Sequence, residues 1–281
     1  MLLKTYKTYF INQLLSLYPQ EEITSFFGIL CAHYLKTDRM EMALAPKKVL
    51  HPKEEQQLEN ALEKLKKQIP IQYITGETEF YGLPFLVNPA VLIPRPETEE
   101  LVDWIWKKHQ SENIHILDIG TGSGCIAISL AKNLPGTFVT ALDVSKEAIA
   151  TAKTNAKLND VEIAFLQEDI LNIKILEGKW DVIVSNPPYI KDGEKKQMSN
   201  NVLEYEPHLA LFVPDVNPLL FYKKIAQLAK NHLKDSGVLY FEINEALGKE
   251  VISMLEKEGF QNMELRKDLY GKDRMVSAKF K

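Results

Sequence analysis

Cysteine is scarce. Cys31 and Cys125 stand alone in 281 residues, without a Cys-x-x-Cys pair. That excludes a disulfide framework and fits a reducing, intracellular compartment. Long apolar runs are missing too: nothing approaches the roughly 18 consecutive apolar residues of a membrane span. The opening segment MLLKTYKTYFINQLLSLYP has no long apolar core and no small-residue cleavage site, so no signal peptide is read and the expected location is the cytoplasm. Positive charge is not in excess, since 34 Lys and Arg face 38 Asp and Glu, a formal net charge of −4. No global field therefore draws the chain to nucleic acid, where phosphate neutralisation supplies most non-specific affinity, and direct nucleic-acid binding is not expected. The histidines (His33, His51, His109, His115, His208 and His232) show no metal-ligand spacing, so no metal is expected. Fixed-period repeats and low-complexity linkers are absent as well.

What is present divides in three. Residues 1–75 read as a small all-helical domain. Leu14, Leu15, Leu17 and Tyr18 offer one apolar face, and Ile23, Phe26, Phe27, Leu30 and Tyr34 another. Pro52 opens a helix carrying Leu58, Leu62 and Leu65, with charges on its other face, and Pro70 is expected to end the helical region. Residues 76–95 read as a β-hairpin linker, two short strands around a Gly-Leu-Pro turn. Residues 96–281 alternate strands and helices, the mark of a parallel sheet covered on both faces. Strands are expected at Ile114–Ile119, Phe138–Asp143, Glu162–Gln167, Asp181–Ser185 and Val238–Ile243. Helices are expected at Thr98–Lys108, Ile126–Asn133, Lys146–Leu158, Leu219–Leu233 and Leu247–Glu258. Met263–Lys267 and Met275–Phe280 form a closing antiparallel pair. The expected fold class is α/β, and five parallel strands with a terminal hairpin resemble the Rossmann-like sheet of a class I methyltransferase.

The first chemical signal is Asp118-Ile119-Gly120-Thr121-Gly122-Ser123-Gly124, set between an apolar strand and a helix. Glycines there let the backbone approach a ligand, and the following helix offers free N–H groups. A dinucleotide fingerprint needs a third glycine or alanine where this chain has Cys125, so a NAD oxidoreductase is disfavoured. The run Asp-x-Gly-x-Gly-x-Gly resembles instead the first motif of S-adenosylmethionine methyltransferases. Asp143 closes the next strand, where a carboxylate can accept from both ribose hydroxyls. Asp169 is suited to the adenine amino group, or to capping its own loop, and Ile170 to the adenine ring. Cys125 reads as a small packing residue.

The second signal is Asn186-Pro187-Pro188-Tyr189, directly after an apolar strand. Two prolines cannot continue a ladder, so the chain turns at the carboxyl edge of the sheet, where α/β folds bind ligands. The turn fixes the Asn186 side chain and the Pro187 carbonyl as convergent acceptors for a planar NH2 group. Tyr189 offers an aromatic surface to a flat substrate. The chemistry expected is methyl transfer to an amide or amine nitrogen, with Asn186, Pro187 and Tyr189 catalytic, Asn186 to Tyr189 binding substrate, and Gly120 to Gly124, Asp143, Asp169 and Ile170 binding cofactor, to which the methyltransferase resemblance adds Asn186.

Together these residues resemble the glutamine N5-methyltransferases of peptide chain release factors, the PrmC or HemK family. Three further segments carry the likeness: Pro70 to Gly76 with Glu79-Phe80-Tyr81-Gly82, Leu92-Ile93-Pro94-Arg95-Pro96-Glu97-Thr98-Glu99, and Glu204-Tyr205-Glu206-Pro207 with Ala210-Leu211. The resemblance implies S-adenosylmethionine as methyl donor, S-adenosylhomocysteine as product, and the glutamine of a Gly-Gly-Gln loop in class 1 release factors as acceptor. It also implies that the helical domain recognises that partner. Two positions depart from the family pattern: Ile170 stands where a bulky aromatic is common, and Glu242-Ile243-Asn244 where Glu-x-Gly is commoner. Asn-Pro-Pro-Tyr also resembles the motif of adenine-N6 and cytosine-N4 methyltransferases, so a nucleic-acid amine is the alternative acceptor. A non-enzymatic binding module is disfavoured by the intact glycine loop, Asp143 and tetrapeptide. Arg95, between two prolines, reads equally as a partner contact or a rigid turn.

Overall fold

The computed structural model describes residues 1–44, 47–110, 113–173 and 176–280. Two compact units emerge, Met1–Gly76 with Asn200–Tyr205, and Glu77–Ser199 with Glu206–Lys281.

The smaller unit opens with α1 (Leu3–Leu14), α2 (Gln20–Leu35), α3 (Arg39–Leu44), α4 (Pro52–Lys66) and α5 (Ile71–Thr75). Leu3, Tyr6, Phe10 and Leu14 of α1 recur at helical spacing and are buried against Ile23, Phe27 and Leu30 of α2 and Leu58, Leu62 and Leu65 of α4. Pro52 occupies the first turn of α4, and Glu54 accepts from the His51 N–H at 2.7 Å, closing that end. Two sequence expectations shift. Leu15 and Leu17 lie beyond the end of α1 and are exposed, because the buried face runs from Leu14 back toward Leu3. Pro70 does not end the helical region but caps α5, since a proline's missing N–H costs nothing at a helix start.

The larger unit begins with the hairpin of β1 (Glu77–Phe80) and β2 (Leu83–Leu86). Its turn is Tyr81-Gly82, both at positive φ (50° and 72°), as a two-residue hairpin turn of this hand requires. Pro84, expected in the turn, lies in β2 opposite Glu79. Phe80 and Phe85 are buried in the core of the larger unit, so the expected linker is packed as part of that unit.

Then follow α6 (Pro96–Lys108), β3 (His115–Ile119), α7 (Cys125–Asn133), β4 (Phe138–Asp143), α8 (Lys146–Leu158), β5 (Ile163–Gln167) and β6 (Trp180–Ser185). A connecting region holds β7 (Ile190–Lys191), a 3-10 turn (Asp192–Gln197), α9 (Asn200–Tyr205), α10 (His208–Leu211) and β8 (Phe212–Val213). Of these, α9 belongs to the helical unit, where the Tyr205 hydroxyl donates to the Lys67 carbonyl at 2.7 Å. The chain closes with α11 (Leu220–His232), β9 (Leu233–Glu242), α12 (Gly248–Lys257), β10 (Phe260–Lys267) and β11 (Asp273–Phe280).

The main sheet has the order β10-β11-β9-β6-β3-β4-β5. Strands β9, β6, β3, β4 and β5 are mutually parallel, and β11 inserts antiparallel between β9 and β10. Alternation along the strands divides the core. Ile116, Val182, Val184, Val238 and Tyr240 face α6 and α7, while Leu117, Ile183, Leu239 and Phe241 face α11 and α12. From β3 the chain runs to β4 on one side and β6 lies on the other, so the strand order reverses beside β3, where such sheets open a crevice.

Candidate active site

Register builds the site. Leu142, Ile119, Ser185 and Phe241 are neighbours across β4, β3, β6 and β9. One residue further along each strand stand Asp143, Gly120, Asn186 and Glu242, a row at the carboxyl edge with strands about 4.8 Å apart. The glycine loop and the tetrapeptide, 66 residues apart in the chain by strand position, thus leave the sheet side by side. The Ser185 hydroxyl donates to the Ile119 carbonyl at 2.7 Å and ties the two exits together.

A cleft of ≈ 410 Å³ opens over this row, within the size range of small-molecule sites. Gly120, Thr121, Gly122, Ser123, Asp143, Asp169, Ile170, Asn186, Pro187 and Pro188 all line it. Two expected members do not. Gly124, at φ 84°, turns away: a Cβ there would meet Ile128 Cδ1 at 2.8 Å and Ala152 Cβ at 3.2 Å, so this glycine lets α7 approach α8. Tyr189 packs against the core on the α11 side, and its hydroxyl donates to Glu242 Oε1 at 3.1 Å.

At the glycine end, the Gly122 N–H donates to Asp143 Oδ2 at 2.8 Å and the Ser145 N–H to Oδ1 at 2.9 Å. Burial pushes the Asp143 pKa upward, and these main-chain donors pull it back. Each carboxylate oxygen keeps a further acceptor position. Asp169 caps its own loop, accepting from the Leu171 N–H at 2.9 Å and the Asn172 side chain at 2.6 Å. Cys125 lines the cleft with its thiol pushed up to about 12 by burial, which favours the protonated form.

At the tetrapeptide end, Asn186 Nδ2 donates to Thr98 Oγ1 at 3.3 Å, and the Thr98 hydroxyl donates to Glu242 Oε2 at 2.6 Å. Glu242 is buried, which raises its pKa; the Thr98 and Tyr189 hydroxyls and the Arg274 charge oppose that shift. Asn244 explains the departure from Glu-x-Gly. Its Nδ2 donates to the Tyr189 carbonyl at 3.2 Å and to Glu194 Oε2 at 3.0 Å, clamping the segment after the tetrapeptide. Arg95 lines the cleft and forms an ion pair with the buried Glu206, which also accepts from the Ile93 N–H at 3.2 Å. Arg95 and Glu206, each set in one of the family segments, are therefore partners in space. Sequence reasoning missed Thr98 and Glu242 as site residues, although a carboxylate ending an otherwise apolar strand was a signal for the second. Phe221, another lining residue, carried no sequence signal.

Comparison with known proteins bears on this geometry. Residues 98–207 match the methyltransferase small domain, and residues 11–76 the PrmC N-terminal domain. A release factor glutamine methyltransferase of Flavobacterium psychrophilum is 53% identical, covering 100% of both chains. A protein of the same name from Bacteroides thetaiotaomicron is 45% identical over 96% of this chain and 97% of its own. Among solved structures, a methyltransferase from Pyrococcus furiosus shares the fold, with a TM-score of 0.53 at 20% identity, over 82% of this chain and 98% of that one. With a methyltransferase sheet, a family-specific helical region and a relative more than half identical from end to end, the chain belongs to the release factor glutamine methyltransferase family.

Proposed function

We propose that the chain transfers a methyl group from S-adenosylmethionine to the side-chain amide nitrogen of a glutamine in a class 1 release factor, the glutamine of a Gly-Gly-Gln loop, in the cytoplasm. One observation carries the reading: Asn186 and Pro187, acceptors suited to a planar NH2 group, line the same cleft as the glycine loop and Asp143. The cleft suits the cofactor. Gly120 and Gly122 leave open space where side chains would stand, and both Asp143 oxygens retain acceptor positions for ribose hydroxyls. Ile170 and the Asp169 loop are assigned to adenine. Among the described residues, four carboxylates (Asp143, Glu147, Glu168 and Asp169) and one guanidinium (Arg95) line the cleft, a balance that favours a cation.

When bound, S-adenosylmethionine supplies a sulfonium methyl to the nitrogen, leaving S-adenosylhomocysteine, while one amide proton passes to solvent. The protein's part is to hold and polarise. Asn186 Oδ1 accepts one N–H of the glutamine amide and the Pro187 carbonyl accepts the other, which stabilises positive charge developing on nitrogen. Positioning of this kind contributes about 7–11 kcal/mol to such reactions. Tyr189 acts through Glu242 as a buttress. The helical unit is assigned to partner recognition: nine of the eighteen exposed large apolar side chains among the described residues fall within positions 1–49, including Leu15, Met40 and Leu44.

The test is to supply labelled S-adenosylmethionine with a purified class 1 release factor, and separately with DNA and RNA. Label in the release factor is expected. Label in nucleic acid alone would overturn the reading in favour of an amine acceptor on a base.

A further inference from the structure

We propose that Thr98 and Glu242 are positioning residues that decide which end of the Asn186 carboxamide faces the cleft; the proposal rests on the amide-holding role given to Asn186 above. A carboxamide is nearly symmetric in shape, with an acceptor at one end and two donors at the other. Only the oxygen serves a substrate NH2. Turned around, Asn186 would oppose donor to donor. The tetrapeptide's prolines fix the backbone but cannot choose between the two ends, so the choice falls to a neighbour.

That neighbour is Thr98. It stands in the first turn of α6 and lines the cleft, and Asn186 Nδ2 lies 3.3 Å from its hydroxyl oxygen. A threonine hydroxyl has one proton and two lone pairs, and alone it would accept either end of the carboxamide. Glu242 removes the choice. An ionised carboxylate can only accept, and Glu242 accepts the Thr98 O–H through a 2.6 Å contact that is itself buried. The hydroxyl then has nothing but lone pairs to offer Asn186, so it binds the NH2 end and leaves Oδ1 to the cleft.

Glu242 is held to this task. Its second oxygen accepts from the Tyr189 hydroxyl at 3.1 Å, so each carboxylate oxygen is matched to one hydroxyl donor, and a Thr98 hydroxyl turned away would leave Oε2 without its partner. The chain Glu242, Thr98, Asn186 joins the Arg-Pro-Glu-Thr-Glu segment, the tetrapeptide and the end of β9. Thr98 and Glu242 are 144 residues apart; the sheet register sets Glu242 beside Asn186, and Thr98 reaches both from the first turn of α6.

Thr98→Val keeps the shape and removes the hydroxyl; Thr98→Ser keeps the hydroxyl and removes a methyl group. Thr98→Val is expected to lower kcat about 10–100-fold, the cost of losing an aligned polar contact in a transition state, with S-adenosylmethionine affinity by calorimetry within a few-fold of the parent and KM for the release factor nearly unchanged. Thr98→Ser should restore most of kcat. Glu242→Gln should lower kcat as well, because it puts an NH2 donor where one of the two accepting oxygens stood, so either Thr98 or Tyr189 loses its acceptor. A second readout needs no turnover. The Asn186 side-chain NH2 resonances, assigned by their loss in Asn186→Asp, should show one proton protected from solvent exchange in the parent and in Thr98→Ser, and unprotected in Thr98→Val. Unchanged kcat and unchanged protection in a folded, cofactor-binding Thr98→Val protein would overturn the positioning role. If the parent enzyme labels nucleic acid and no release factor, the substrate assignment fails instead, and the exchange measurement still decides the orientation of Asn186.

Discussion

At the glycine end of the cleft, the groups assigned to the ligand are main-chain N–H groups, open space above Gly120 and Gly122, and one carboxylate clasped by the Gly122 and Ser145 N–H groups. They come from two short stretches on adjacent strands. At the tetrapeptide end the working parts are side chains, Asn186, Thr98, Glu242, Tyr189 and Asn244, drawn from distant segments, with Thr98 and Glu242 144 residues apart. The first end is backbone geometry, which local sequence dictates. The second is a hydrogen-bond network whose direction depends on a buried charge. A backbone cradle tolerates small errors by losing affinity, whereas a network with a set polarity fails as a unit.

This contrast predicts where function breaks. The largest effect is expected at the tetrapeptide end: Asn186→Ala should lower the single-turnover rate by about 10²–10³, with cofactor affinity by calorimetry changed only a few-fold. Comparable losses in both would erase the distinction between the two ends.

Next comes a pH effect under the glycine loop. The Asp118 carboxyl is pushed up to about 7 by burial, only partly offset by the Thr121 hydroxyl and the Ala127 N–H. The unfolded chain releases this proton near the ordinary carboxylate value of about 4. Between about pH 4 and 7 the folded state therefore binds more protons, so stability falls as pH rises across that window and levels off above it, by about 1.4 kcal/mol for each unit of separation. Asp118→Asn should flatten this part of the curve in urea denaturation. Asp181, Glu258 and Asp268 are shifted downward and act with the opposite sign, so the quantity to compare is variant minus parent.

Asp143→Ala follows, removing acceptors for two ribose hydroxyls. It should weaken S-adenosylmethionine binding by about 1–3 kcal/mol, while turnover at saturating cofactor stays near the parent's. Smallest is Gly122→Ala, where nothing lies within 4 Å of the added carbon and the cost is the positive φ alone, about 1–2 kcal/mol. Gly124→Ala should exceed it in thermal denaturation because Ile128 and Ala152 must also move.

The same division explains what could be read in the sequence. The parallel strands and their helices were legible because apolar alternation and the strand-to-helix glycine run are local signals; α8 and β4 fall at their expected limits. The connecting region from β7 to β8 was not, since two-residue strands and the α9 turn are fixed by packing and carry no period. Pro84 misled because a proline in a two-stranded hairpin resembles a turn residue. Gly124 resembled its neighbours in the loop, yet its role is set by Ala152 on another helix. Thr98 lies within a family segment but its part was invisible, because the partner proposed to give it direction, Glu242, is 144 residues away along the chain. Tyr189 was expected on the substrate for the same reason.

The central claim is that the cleft presents paired acceptors to an amide nitrogen, and the atom that receives the methyl group tests it. A release factor labelled with nitrogen-15 at its glutamine side chains, treated with the enzyme and carbon-13-methyl S-adenosylmethionine, would report that atom by NMR. The account predicts a carbon-13 methyl signal coupled through one bond to a single glutamine side-chain nitrogen, reduced about 10²–10³ in rate of appearance with Asn186→Ala. A methyl group on a carboxylate oxygen or a lysine amine, or coupling that appears at the parent rate in Asn186→Ala, would contradict it.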